Sequence, residues 1–177
     1  MECCRFSMLF AAMLFAGIAG CGQPDTIVVT SPAFEEEDFI PTVYAGVGDD
    51  ISPELNWEKV PLGTKTFALI CEDPDAPRGT FVHWVIYNVP GKQRKLVSSI
   101  PTKPELEDGS LQGHNDFGRI GYAGPLPPLG KAHRYFFNLY ALDTELNVDP
   151  GLNTVKLRDA MKDHILGEGH IMGRFAR

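Results

Sequence analysis

The sequence predicts a single, mainly β domain with one helix near its C-terminus. Of its 177 residues, 44% are hydrophobic and 22% are charged, a composition that suits one globular domain. The 18 glycines and 14 prolines favour many turns, and therefore many short strands, over a helix bundle. Runs of β-branched and aromatic residues between these turns supply the strands.

Six segments have the composition of strands. The first is β-branched, the second alternates apolar with polar residues, and the third is apolar on both faces, as in a central strand that is covered on both sides. In chain order, the six predicted strands span residues 26–30, 55–58, 66–71, 81–89, 134–142 and 170–177.

One helix is predicted, over residues 154 to about 166. Asn153 can cap its N-terminus, and Gly167 is expected to end it. Leu157, Met161 and Ile165 lie four residues apart and would form the buried stripe of this helix.

The first 25 residues are predicted to lie outside the domain. Residues 8–19 form an apolar run that is short for a membrane span and typical of a signal-peptide core. It leads into Ile18-Ala19-Gly20-Cys21, which resembles the bacterial lipobox. In that motif the peptide is cut before the cysteine, whose thiolate is alkylated by a lipid.

These features predict how the chain is processed and where it resides. Residues 1–20 would be a lipoprotein signal peptide, Cys21 the lipidation site, 21–25 a tether and 26–177 the domain. The protein would then be exported and lipid-anchored to the bacterial cell envelope. An ordinary cleaved signal or an uncleaved anchor is the alternative.

The charge of the chain limits the kinds of partner that it can bind. The formal net charge of −7, without a basic run, argues against nucleic acid as a binding partner.

Of the four cysteines, Cys3 and Cys4 would leave with the signal peptide and Cys21 would be acylated. Only Cys71 remains, so no disulfide is expected within the domain, and Cys71 itself is predicted to be a packing residue in a strand.

The polar residues that could take part in binding or catalysis are concentrated in three segments. These are Asp73-Pro74-Asp75-Ala76-Pro77, His83-Trp84, and Gly121-Tyr122-Ala123-Gly124-Pro125 leading to His133-Arg134-Tyr135. Because side chains alternate along a strand, His133 and Tyr135 would share one face, and His83 would share a face with Val85 and Tyr87. If the two histidine strands are neighbours, two imidazoles and a phenol converge beside the Asp-Pro-Asp loop.

The same segments, in this order, resemble the signature segments of the phosphatidylethanolamine-binding protein family. That family includes the Raf kinase inhibitor proteins and their small bacterial relatives, and the resemblance covers about residues 26–177. It implies an antiparallel β-sandwich with a small C-terminal helical appendage and a shallow pocket for phosphate-like anions. Carried over residue by residue, the pocket would use Asp73, His83, Gly124, Pro125, His133 and Tyr135.

The chemistry of these residues fits an anion. Both imidazoles and the Tyr135 hydroxyl can donate hydrogen bonds, and backbone N–H groups near Gly124 can approach a ligand closely. Asp73 is expected to fix a histidine tautomer. Pro74 and Asp75 complete the set of candidate ligand-binding residues, although Asp75 could equally cap the backbone of its loop.

The sequence therefore predicts a binding protein and no catalytic residue, since it lacks a nucleophile elbow, a Walker loop and a dinucleotide fingerprint. The expected ligand is a small anion or a phospholipid headgroup. Modulation of a kinase or protease partner through the same pocket is the alternative, and a metal-dependent enzyme is a weaker one. No cofactor or metal is expected.

Overall fold

Two β-sheets and one helix make up the domain. The structure, a computed structural model, describes residues 25–177; the predicted signal peptide and Cys21 lie outside this range. Within it, no helix is both long and apolar enough to cross a membrane. The elements are β1 (Asp25–Thr26), β2 (Val28–Thr30), a 3-10 turn (Thr42–Tyr44), β3 (Leu55–Glu58), β4 (Thr66–Asp73), β5 (Phe81–Pro90), β6 (Lys95–Leu96), β7 (Leu111–Gln112), β8 (His133–Leu142), α1 (Thr154–Met161) and β9 (Ile165–Phe175).

The larger sheet has six strands in the order β1-β9-β8-β4-β5-β7, and the smaller has three in the order β2-β3-β6. All neighbours are antiparallel except β1 and β9, which run parallel. The long strands β4, β5, β8 and β9 lie at the centre of the larger sheet, as expected for segments that are apolar on both faces.

The larger sheet is covered on both sides. On one face, Phe67, Leu69 and Phe137 pack in one core cluster with Leu55 and Trp57 of the smaller sheet. On the other face, Ala68 and Ile70 pack with Leu157 and Met161 of α1. The prediction of a β-sandwich with a small C-terminal helix is therefore confirmed.

The first predicted strand is divided between the two sheets. Asp25 and Thr26 pair with β9, whereas residues 28–30 pair with β3. The backbone N–H of Ile27, between them, still donates to Glu168 of β9, and its side chain is buried. The chain therefore passes from one sheet to the other at Ile27, a crossing that the uniform β-branched composition of the segment does not reveal.

The helix is shorter than predicted, and the last strand begins earlier. Asn153 caps α1 as expected, since its side chain accepts a hydrogen bond from Lys156 N at 3.0 Å. The prediction that Ile165 belongs to the helix is wrong, because Ile165 pairs with Leu142 and starts β9. Gly167 does not end the helix either but lies inside β9, beside Asp25. Strand pairing along β8 overrides the helical spacing of these apolar residues.

Candidate functional site

A hollow of about 160 Å³ lies at one end of the larger sheet. Three of the eight predicted ligand-binding residues line it: Asp73, His83 and His133. The rest of its wall is formed by Ala76, Pro77, Phe81, Phe117, Leu126, Pro127 and Pro128.

Antiparallel pairing brings the three polar residues together. Asp73 is the last residue of β4, His83 lies near the start of β5, and His133 is the first residue of β8. Because β4 is antiparallel to both β5 and β8, its end lies beside their beginnings.

A β-bulge decides which way His83 points. In the pairing of β4 with β5, Cys71 lies opposite Trp84 and Glu72 lies opposite Val82, so His83 is an extra residue. Its ring contacts Tyr135, on the face covered by the smaller sheet, with ring centroids 5.1 Å apart. Val85 and Tyr87 belong to the core on the opposite face, so the prediction that His83 shares their face is wrong. Strict alternation would have turned this imidazole away from His133.

His83 is held by one hydrogen bond and an aromatic cage. Its Nδ1 lies 2.7 Å from the Ala123 carbonyl oxygen, and Ala123 N donates back to the His83 carbonyl. A carbonyl oxygen can only accept, so Nδ1 carries the hydrogen. The rings of Phe81, Phe117 and Tyr135 surround the imidazole at 5.1 to 5.6 Å. Burial lowers the pKa of His83 below its ordinary value of 6.5, so the ring is neutral at neutral pH.

His133 is oriented by Asp73. Its Nδ1 lies 2.8 Å from Asp73 Oδ2, and both side chains are largely buried. The other carboxylate oxygen, Oδ1, accepts from Asp75 N at 2.8 Å. The carboxylate therefore holds the Nδ1–H tautomer of His133 and turns Nε2 away from itself.

Both imidazoles leave the same ring nitrogen, Nε2, uncommitted. Neither Nε2 is among the completely buried side-chain atoms that lack a partner in residues 25–177, so each keeps at least slight contact with solvent. With Nδ1 committed to an acceptor, each Nε2 accepts a hydrogen bond when the ring is neutral and donates only after it gains a proton. No lysine or arginine lines the hollow. An anion at this hollow would therefore meet a ring N–H donor only where an imidazole is protonated.

One loop beside the hollow is held in place by a buried asparagine, Asn115. Asn115 Oδ1 accepts from the backbone N–H groups of Phe117 and Arg119, and its amide donates to the Gly121 carbonyl oxygen. This network places the Phe117 ring against Phe81, with centroids 4.7 Å apart. Sequence reasoning missed Asn115, because a buried asparagine that shapes a loop has no sequence pattern of its own.

Two predicted residues of the Asp-Pro-Asp loop lie outside the hollow. Pro74 is exposed. Asp75 accepts hydrogen bonds from Arg134 Nε at 2.9 Å, from Arg134 Nη2 at 2.8 Å and from Arg134 N at 2.9 Å. These bonds lower the pKa of Asp75 to about 2. The pair joins the loop to Arg134, the residue that follows His133 at the start of β8.

Gly124 and Pro125 support the wall without facing the hollow. Gly124 N donates to Asp50 Oδ1 at 2.6 Å, and so this backbone group is already partnered. A Cβ on Gly124 would collide with the Tyr44 carbonyl oxygen, which explains why glycine is needed here. Pro125 is buried, and its carbonyl oxygen accepts from Gly46 N at 2.9 Å. Together they carry the chain into the lining residues 126–128.

Tyr135 lies behind the hollow. Its side chain is fully buried against His83. Burial and the nearby Asp73 carboxylate raise the pKa of Tyr135. The structure thus brings Tyr135 to the site as a support for His83, one layer below the open surface.

The apolar wall was largely missed from the sequence. Leu126, Pro127 and Pro128 directly follow the Gly124-Pro125 pair, and Phe117 lies in the long irregular stretch before it. A signal was present, since that stretch is long and irregular for a compact domain. Leu126 and Phe117 are about 40% exposed at the rim, where apolar side chains are otherwise costly to leave in water.

Comparison with known proteins accounts for this arrangement. The family model described as phosphatidylethanolamine-binding protein matches residues 30–176. The chain belongs to this family. The matched range contains β3 to β9 and every residue that lines the hollow.

Relatives of the chain include archaeal and bacterial proteins. It is 48% identical over 145 residues to a UPF0098 protein of Methanothermobacter thermautotrophicus, covering 82% of this chain and 95% of that protein. Among solved structures it resembles the Chlamydia trachomatis homologue CT736 (35% identity, TM-score 0.78, covering 86% of this chain and 99% of that one). It also resembles Escherichia coli YbcL (30% identity, TM-score 0.78, covering 85% and 98%). The chain is thus a bacterial-type member of the phosphatidylethanolamine-binding protein family.

Proposed function

We propose that this protein binds a small phosphate-type anion, free or as a phosphorylated headgroup, and performs no catalysis. One observation carries the proposal: Nδ1 of both His83 and His133 is committed to an oxygen acceptor, which leaves Nε2 uncommitted on two residues that line one small hollow. Two protonated Nε2 groups would donate two hydrogen bonds to neighbouring oxygen atoms of one tetrahedral anion.

The residues that line the hollow favour an anion that carries few charges. The hollow is mostly apolar and contains the Asp73 carboxylate, so a dianion would meet a nearby negative charge and no permanent cation. A monoanion with its own O–H group, or an anion that binds together with a proton, avoids this cost. The hollow of about 160 Å³ accommodates a phosphate or a phosphorylated headgroup rather than an acyl chain.

The proposal predicts that phosphate affinity falls as pH rises. Burial keeps the pKa of His83 below 6.5, so above that pH the ring must gain a proton before it can donate. We expect the affinity to fall by at least about tenfold per pH unit between roughly pH 7 and 9, because His83 takes up one proton for each dianion bound. Calorimetric titration with inorganic phosphate and with phosphoethanolamine measures this. An affinity that is flat over that range would contradict the proposal.

The absence of catalysis is part of the proposal. Among residues 25–177, no group of three or more His, Cys, Asp or Glu side chains is arranged to hold a metal ion. Burial raises the pKa of the Cys71 thiol well above its ordinary value, which disfavours the nucleophilic thiolate. We assign the two imidazoles to ligand binding, because their Nδ1 hydrogen bonds already fix their tautomers.

A further inference from the structure

The hollow and the start of the described chain lie at opposite ends of the larger sheet. His133, which lines the hollow, pairs with Phe175 at the end of β9. Asp25 pairs with Gly167, near the beginning of the same strand. Eight residues separate Gly167 from Phe175, a distance of about 26 Å along an extended strand.

The direction of β1 strengthens this separation. Because β1 runs parallel to β9, the chain enters at Asp25 and heads toward the hollow. Whatever precedes Asp25 therefore joins the domain at the end opposite the hollow.

The predicted tether is too short to span the domain. Cys21 is four residues before Asp25, and four residues reach at most about 14 Å whatever path they follow. An inverted domain, with its hollow against the bilayer, would require Cys21 to reach about 26 Å along the side of the sheet.

We infer that the acylated protein holds its hollow turned away from its own membrane and takes phosphate-type anions from the aqueous compartment. This inference rests on the proposed anion binding and on acylation of Cys21. The relevant chemistry is the phosphate group, which could come from dissolved compounds or from headgroups of the anchoring bilayer. The geometry favours the dissolved source.

Two exposed leucines allow the orientation to be measured. Leu62 is 98% exposed next to Pro61, which packs against Gly167 at the tether end. Leu129 is 78% exposed next to Pro128 at the hollow. In the lipidated mature protein, Leu62→Cys or Leu129→Cys can be labelled with a fluorescent donor, since Cys71 is buried.

Energy transfer to an acceptor-labelled lipid in phosphatidylcholine vesicles then reports the distance to the bilayer. We expect strong transfer from position 62 and several-fold weaker transfer from position 129. Inserting about twenty Gly and Ser residues between Pro24 and Asp25 permits a reach of about 26 Å and should raise transfer from position 129. Equal or stronger transfer from position 129 without the insert would overturn the inference, as would an unmodified Cys21 thiol in the mass spectrum.

A measurement of phosphate binding on the same vesicles distinguishes the two proposals. Titration with inorganic phosphate should give the same affinity, within twofold, when phosphatidylethanolamine replaces half of the phosphatidylcholine. Competition by those headgroups would overturn the inferred orientation but leave anion binding intact. Failure to bind phosphate on any vesicle would reject the proposed function, and with it the assigned ligand source.

Discussion

Replacing His133 with alanine is expected to weaken phosphate binding by roughly tenfold to a hundredfold. The change removes one of the two Nε2 donors, and a hydrogen bond to a charged group contributes about 1.5–3 kcal/mol. It also leaves the buried Asp73 carboxylate without its 2.8 Å partner, facing the anion directly. Calorimetric titration at mildly acidic pH, where the wild type binds best, measures the loss.

His164 provides the matched control. Its Nδ1 also lies 2.8 Å from a carboxylate, that of Asp143, but this pair is exposed and lies at the other end of the larger sheet. Because His164→Ala removes a similar pair far from the hollow, it should leave phosphate affinity within twofold of wild type. Equal losses in the two variants would mean that the effect of His133→Ala is not local to the hollow.

Phe137→Ala should produce the largest loss of stability, about 3–5 kcal/mol in the free energy of unfolding. Phe137 is fully buried between the two sheets and packs against Phe34, with ring centroids 5.8 Å apart. Truncation leaves a cavity at the centre of the core that joins the sheets, and rigid strands on both sides limit its collapse. Equilibrium unfolding in urea measures the change.

The adjacent aromatic residue is a stringent control. Phe136 points to the other face of β8, where it is half-buried beside His170. Phe136→Ala removes the same side chain from a partly solvated position, so we expect less than half the loss seen for Phe137→Ala. If the two variants were equally destabilised, the assignment of Phe137 to the main inter-sheet core would be incorrect.

The sequence was sufficient to predict the sheet core. The apolar segments that form β4, β5 and β8 combine β-branched and aromatic residues, strand-like length and flanking turn residues, which together favour strands over helices. Asn153 was predictable as a cap because capping depends on local chemistry alone. By contrast, the end of α1 depends on the pairing of Ile165 with Leu142, which is a contact between distant parts of the chain.

The site was predictable in outline but not in detail. The residues Asp73, His83 and His133 were selected correctly as neighbours, but the bulge that turns His83 toward them involves a single unpaired residue in β5. The partner of Gly124 was equally hidden, because Asp50 is 74 residues away in the sequence. Such contacts depend on how distant strands and loops are aligned in the folded chain, and local composition does not determine that alignment.

The central claim is that the two Nε2 atoms receive the anion, and nitrogen NMR of the imidazoles tests it most directly. In protein labelled with ¹⁵N at its five histidines, saturation with phosphate near neutral pH should shift the Nε2 resonances of His83 and His133 toward those of a ring N–H. Both Nδ1 resonances should change little, and the resonances of His164 and His170 should not respond. Phosphate binding that left both Nε2 resonances unchanged would contradict the account.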